Sequence, residues 1–169
     1  MTVKTIHAAM VVIALAAGSS RAFGGEGPEA AEHRNLVLEV APAGEWGLGD
    51  DGKTRFGPSF ALAVTPIEHQ LEIEFGLAPM FDHGKADWEG EIVFKKPFEL
   101  SKNLELLVGV GPQWAIPSNS FGAVAKLDLV YWQTSRVGWF VEPSYSYALN
   151  GQHEQNVTLK VGLLFALSH

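Results

Sequence analysis

From residue 36 onward the hydrophobic positions recur with a period of two, the signature of strands that present one apolar and one polar face. The stretch HQLEIEFGL (69–77) places His69, Leu71, Ile73, Phe75 and Leu77 on one face and Gln70, Glu72, Glu74 and Gly76 on the other. In 104–115, Leu104, Leu106, Val108, Val110 and Trp114 oppose Glu105, Leu107, Gly109, Gly111 and Gln113. In 121–131, Phe121, Ala123, Ala125, Leu127, Leu129 and Tyr131 oppose a face that includes Lys126 and Asp128. The last segment sets Val157, Leu159, Val161, Leu163 and Phe165 against Thr158, Lys160 and Gly162. Segments 36–41, 87–95 and 138–148 add Glu39, Glu89, Glu91, Lys95, Glu142, Ser144 and Ser146 to the polar side.

The pattern predicts eight strands, at 36–43, 56–65, 69–80, 86–97, 104–116, 121–132, 137–148 and 155–167. Turn chemistry separates them at GDDGK (49–53), DHGK (82–85), PSNS (117–120) and NGQ (150–152). No stretch of helical period competes, so the fold class is all-β, an eight-stranded antiparallel up-and-down barrel.

Alternation alone also fits a soluble barrel with its apolar face inside. Three details favour the inverted, membrane-spanning arrangement. The polar face carries many small residues (Gly57, Ser59, Ala61, Ala63, Gly76, Gly109, Gly111 and Gly162), which suit a narrow lumen. Its charges are of both signs, so they can neutralise one another. The predicted lumen network comprises Glu39, Glu72, Glu74, Glu91, Lys95, Glu105, Lys126, Asp128, Glu142 and Lys160. Aromatic residues fall at both ends of the strands. With both termini on the periplasmic side, Phe81, Trp88, Trp114, Phe121 and Tyr147 lie near the outer ends. Phe94, Phe98, Tyr131, Trp132, Trp139 and Phe165 lie near the inner ends, most of them on the apolar face. Two such girdles are expected of a membrane barrel.

Composition adds compartment and partners. Residues 1–22 combine Lys4, the short apolar run AAMVVIALAA (8–17) and the small-residue site Ser20-Arg21-Ala22. They read as a signal peptide cleaved after Ala22, because the run is too short for a spanning helix, which needs about 20 apolar residues. GGEGPEAAEHRN (24–35) lies in a polar, aperiodic lead over 23–35, and the barrel domain occupies 36–169. Losing residues 1–22 removes Lys4 and Arg21 from the 12 basic residues and none of the 19 acidic ones, leaving a net charge of −9. That balance argues against a nucleic-acid partner. Cysteine is absent, so no disulfide staples the exported chain. Mean hydropathy is only +0.08, and after residue 22 no apolar run could span a bilayer as a helix.

With these features the chain resembles the small eight-stranded outer-membrane barrels of Gram-negative bacteria, the OmpA/OmpX type, over residues 36–169. The stretches FKKPFELSKNLELLVGVGP (94–112) and GWFVEPSYSYAL (138–149) are similar to outer-membrane barrels of unassigned function. Such proteins often end in an aromatic residue, whereas this chain ends FALSH. The resemblance implies a cell outer-membrane location with lipid as the main partner, and contacts with extracellular or periplasmic partners through the loops.

Candidate chemistry is sparse. Glu142, Ser144, Ser146 and His153 sit on the last hairpin, and lipid A deacylases use a Ser/His/acid set on a barrel. The motif of those enzymes is missing, however, and both serines share the inward face. Asp82, His83, Asp87 and His153 on the outer loops match no ligand spacing for a metal. GVGP (109–112) lies within a strand and is no phosphate cradle. The pairs Glu72/Glu74 and Glu89/Glu91 stand about 7 Å apart by strand rise, but a filled lumen leaves a substrate no room. No catalytic residue, metal or cofactor is expected. The expectation is a monomer with a structural or interaction role. The alternatives are a small pore or transporter, a lipid-modifying enzyme, or a soluble periplasmic barrel around an apolar ligand.

Overall fold

The computed structural model describes residues 34–48, 52–116, 119–150 and 154–168. The proposed signal peptide, most of the N-terminal lead, His153 and parts of three predicted turns lie outside these residues. Eight strands follow in order: β1 (Leu36–Gly47), β2 (Thr54–Ile67), β3 (Leu71–Asp82), β4 (Lys85–Ser101), β5 (Leu104–Ala115), β6 (Ser120–Trp132), β7 (Val137–Ala148) and β8 (Gln155–Ser168). Each pairs antiparallel with the next, and β1 pairs with β8, so the sheet closes into a barrel without an open edge. Closure satisfies every strand's backbone groups within the protein, which hydrocarbon surroundings demand. The shortest strands have 12 residues. At roughly 3.3 Å per residue and a tilt near 45°, such a strand rises about 28 Å, close to the hydrocarbon thickness of a bilayer.

Strand β1 begins and strand β8 ends at one end of the barrel, where Leu36 stands opposite Ser168. This is called the terminal end below, and the other the far end. The β3–β4 connection at the far end is His83-Gly84, with φ of 47° and 82°. Two left-handed residues in succession make the turn whose twist matches a hairpin. Gly84 adopts that conformation freely, and histidine is among the side chains that tolerate it.

Register explains why large and small residues alternate around the lumen. Lys126 stands opposite Gly109 on β5 and Ser144 on β7, and Glu91 stands opposite Gly76. Phe140 is likewise matched with Gly162. Each long side chain reaches across the barrel because its neighbour on the wall is small. At Gly111 the wall itself leaves no room, since a Cβ there would sit 1.8 Å from the carbonyl oxygen of Ile92. Gly111→Ala should therefore destabilise the folded barrel by at least about 1–3 kcal/mol, the usual cost of overpacking. The urea midpoint in lipid vesicles measures it, and an unchanged midpoint would mean the β4–β5 wall is looser than this.

Candidate functional site

The outer wall is the most extensive functional surface. Val110 (62% exposed), Phe56 (58%), Leu127 (49%), Leu163 (49%) and Phe75 (48%) all point out of the barrel. Inside, Glu74 and Glu142 are fully buried, Lys95 is 1% exposed and Lys126 2%. A soluble protein arranges these classes the other way round. A belt of exposed large hydrophobics on every strand is a surface made for contact with an apolar phase.

Aromatic side chains edge that belt. Trp88 and Phe121 are exposed at the far end, together with half-buried Trp114 and Tyr147. Trp46 and Phe56, an edge-to-face pair with centroids 6.4 Å apart, extend the same rim. Trp114 lies over Gly90 on the outer wall, where an added Cβ would come within 2.8 Å of its ring. At the terminal end Tyr131 and Trp139 stack with centroids 5.4 Å apart, and Phe98 and Phe165 flank them. Phe94 departs from the expectation. Strand β4 runs on to Ser101 rather than stopping near 97, so Phe94 occupies mid-wall and Phe98 the rim. Trp132 departs too, because it shares the parity of Lys126 and Asp128 and turns inward, 4% exposed.

The lumen holds a network of three lysines and six carboxylates contributed by β1, β3, β4, β6, β7 and β8. Lys95 touches Glu74, lies 2.5 Å from Asp128, 3.6 Å from Glu39 and 3.7 Å from Glu72. Lys126 reaches Glu91 at 2.5 Å, Glu74 at 2.7 Å and Glu142 at 3.1 Å. Lys160 meets Glu142 at 2.8 Å and Glu91 at 3.0 Å. Nine of the ten network residues named from sequence thus come together. The tenth, Glu105, sits apart near the terminal end. Lys126 and Lys160 pair with neither Glu105 nor Asp128, since Asp128 turns to Lys95. Taking such charges from water is costly, and the mutual pairing offsets that cost only while every partner is present.

Each end of the lumen is closed differently. At the far end Arg55 on β2 contacts Glu45, lies 2.5 Å from Glu89 and 3.6 Å from Asp87. Gln113 donates to Glu89 at 3.2 Å. At the terminal end Val37, Leu107, Val130, Trp132, Phe140 and Leu164 form an apolar plug. Arg34 lies over it, 3.9 Å from the Trp132 ring centroid, donating to the Ser135 carbonyl at 3.1 Å and lying 3.7 Å from Glu105. Among the described residues, two voids of about 20 Å³ each lie in this interior, enough for a water apiece. Sequence reasoning passed over Arg55, Glu45 and the plug, although all lie on the inward parity of their strands.

Of the sparse catalytic and metal candidates, His153 lies outside the described residues. Ser144 and Ser146 face the lumen, away from the lipid side. The His83 side chain is 95% exposed and contacts its neighbour Asp82. Among the described residues, only Glu39, Glu74 and Glu142 bring three potential metal ligands within 4.8 Å of one another. The ammonium groups of Lys95 and Lys126 already lie among them, and their charge repels a cation.

Closed topology, a lipid-compatible exterior and a charged, filled interior define a small transmembrane-type β-barrel. Comparison with solved structures agrees. Neisserial surface protein A matches with a TM-score of 0.61 at 11% identity, over 84% of this chain and 100% of that one. A de novo designed transmembrane barrel matches with a TM-score of 0.57 at 12% identity, over 80% and 98%. The N-terminal barrel domain of Pseudomonas aeruginosa OprF gives 0.56 at 18% identity, over 79% and 100%. The fold is therefore that of the small eight-stranded outer-membrane barrels. No protein-family model matches the chain, and no curated protein matches it in sequence.

Proposed function

We propose that the protein is a monomeric, non-enzymatic outer-membrane barrel, delivered by a signal peptide at residues 1–22. In this reading its terminal end faces the periplasm, and it serves a structural or interaction role through the far-end loops. The filled lumen carries the proposal. Nine charged side chains cross the barrel, an apolar plug closes one end, and the two voids among the described lumen residues are water-sized. Among the described residues a solute has no route through, and a lipid acyl chain meets no catalytic set on the outer wall. Lipid is the obligatory partner, and the surfaces left for a macromolecular one are the strand connections.

Planar-bilayer recording with the purified, refolded protein tests this. The expected outcome is a baseline without discrete conductance steps. Reproducible steps that persist in single molecules would overturn the filled-lumen reading and point to a pore instead.

A further inference from the structure

The outer wall carries one charge. On β4 the outward parity runs from Trp88 through Ile92 and Phe94 to Lys96 and Phe98. Among the described residues, Lys96 is the one charged side chain on the outward parity of any of the eight strands. Its neighbour Lys95 turns into the lumen network, 1% exposed, whereas Lys96 is exposed on the wall. A lysine on the lipid face is costly at the bilayer midplane and costs little near the interface, so its height decides what it can do.

Trp88 and Phe98 mark the two aromatic rims on β4. At roughly 3.3 Å per residue and a tilt near 45°, the strand between them rises about 23 Å, close to the apolar band of about 25 Å in such barrels. By the same rise, the backbone of Lys96 lies about 5 Å inside the terminal-end rim. Its ammonium lies 5.8 Å from the Phe98 ring centroid, so the stem runs back toward that rim and the ring face meets the cation. Among the described residues no carboxylate pairs with Lys96. Glu99, close by in sequence, has the inward parity and lies 2.7 Å from His69 Nδ1. The ammonium therefore keeps N–H donors for an anion from outside the protein. At the edge of the hydrocarbon, that anion is the phosphodiester of a phospholipid.

We propose that Lys96 and Phe98 form a phospholipid site at the terminal-end rim. The Lys96 ammonium donates to the headgroup phosphate, and an acyl chain lies along Phe94 and Val108, the latter paired with Lys96 across the β4–β5 seam. Both side chains are open to receive it, 49% and 39% exposed. The proposal rests on the lipid-facing reading of the outer wall, and holds whichever leaflet the terminal end occupies.

Native mass spectrometry of the purified, refolded protein tests it with two lipids, dimyristoylphosphatidylglycerol and dimyristoylglycerol, which has the same chains and no phosphate. The first should bind about fivefold more tightly, the share of one lysine beside an anionic headgroup. Lys96→Gln should abolish that preference and Lys96→Arg should keep it. Lys85→Gln, at the far-end start of β4, controls for net charge and should also keep it. Inorganic phosphate should not displace the lipid, because it gains nothing from the apolar wall. A heat-modifiability gel confirms that each variant is folded. Equal affinity for the two lipids, a preference unchanged in folded Lys96→Gln, or displacement by inorganic phosphate overturns the proposal and leaves the lipid-facing wall standing. Failure of both lipids to bind would overturn the wall and the proposal together.

Discussion

Lys95→Met should lower the unfolding free energy of the barrel in lipid vesicles by about 3–5 kcal/mol, the cost of leaving buried charges without their partner. Lys95 is 1% exposed and touches or approaches Glu39, Glu72, Glu74 and Asp128. Methionine keeps much of the volume and removes the ammonium, so Glu39, Glu72 and Asp128 would lose the lysine they face and Glu74 would keep Lys126 alone. Lys102→Met, in the exposed β4–β5 turn, controls for the change in net charge and should leave the urea midpoint nearly unmoved. Equal midpoints for the two variants would show that the network does not hold the lumen together.

Leu127→Arg should destabilise the barrel in vesicles by about 2–4 kcal/mol, because a guanidinium near the bilayer midplane must leave water or thin the membrane around it. Leu127 is 49% exposed on the outer wall of β6. A buried leucine in a soluble core would also reject arginine, so volume makes the distinction. Leu127→Phe should be accepted with little change, since lipid yields to a larger ring. Val124→Phe, three positions earlier on the same strand but 4% exposed toward the lumen, should cost about 1–3 kcal/mol by overpacking. Equilibrium unfolding of the three variants checks this. Tolerance of the Leu127→Arg change, or a large penalty for Leu127→Phe, contradicts the lipid-facing assignment.

The strands were legible because a half-lipid, half-lumen wall enforces strict alternation. Glu72 and Glu74 between Leu71, Ile73 and Phe75 have no other economical placement. Even the cross-lumen residues could be named, since parity assigns each to a face. Partnership was less legible. Which lysine meets which carboxylate depends on register and on reach across the barrel, so parity names the members of the network but not the pairing of Asp128 with Lys95. The terminal plug was missed for a related reason. Trp132 and Phe140 sit on the polar parity, and their hydrophobic character masked it; counting in twos from Lys126 and Glu142 would have turned them inward. Arg55 and Glu45 were readable by the same count. Phe94 sits farther from the rim than the predicted strand 86–97 implies, because β4 continues four residues beyond Pro97 to Ser101.

The central claim is that the alternating apolar face contacts lipid and its counterpart fills a dry interior. Nuclear Overhauser contacts between lipid acyl chains and protein methyl groups in nanodiscs test it most directly. Val110, Leu127 and Leu163, 62%, 49% and 49% exposed, should show strong acyl contacts, and Val93, Val124 and Leu164, 0%, 4% and 2% exposed, should show none. Acyl contacts to the second set, or water contacts in place of lipid for the first, would contradict the inverted barrel.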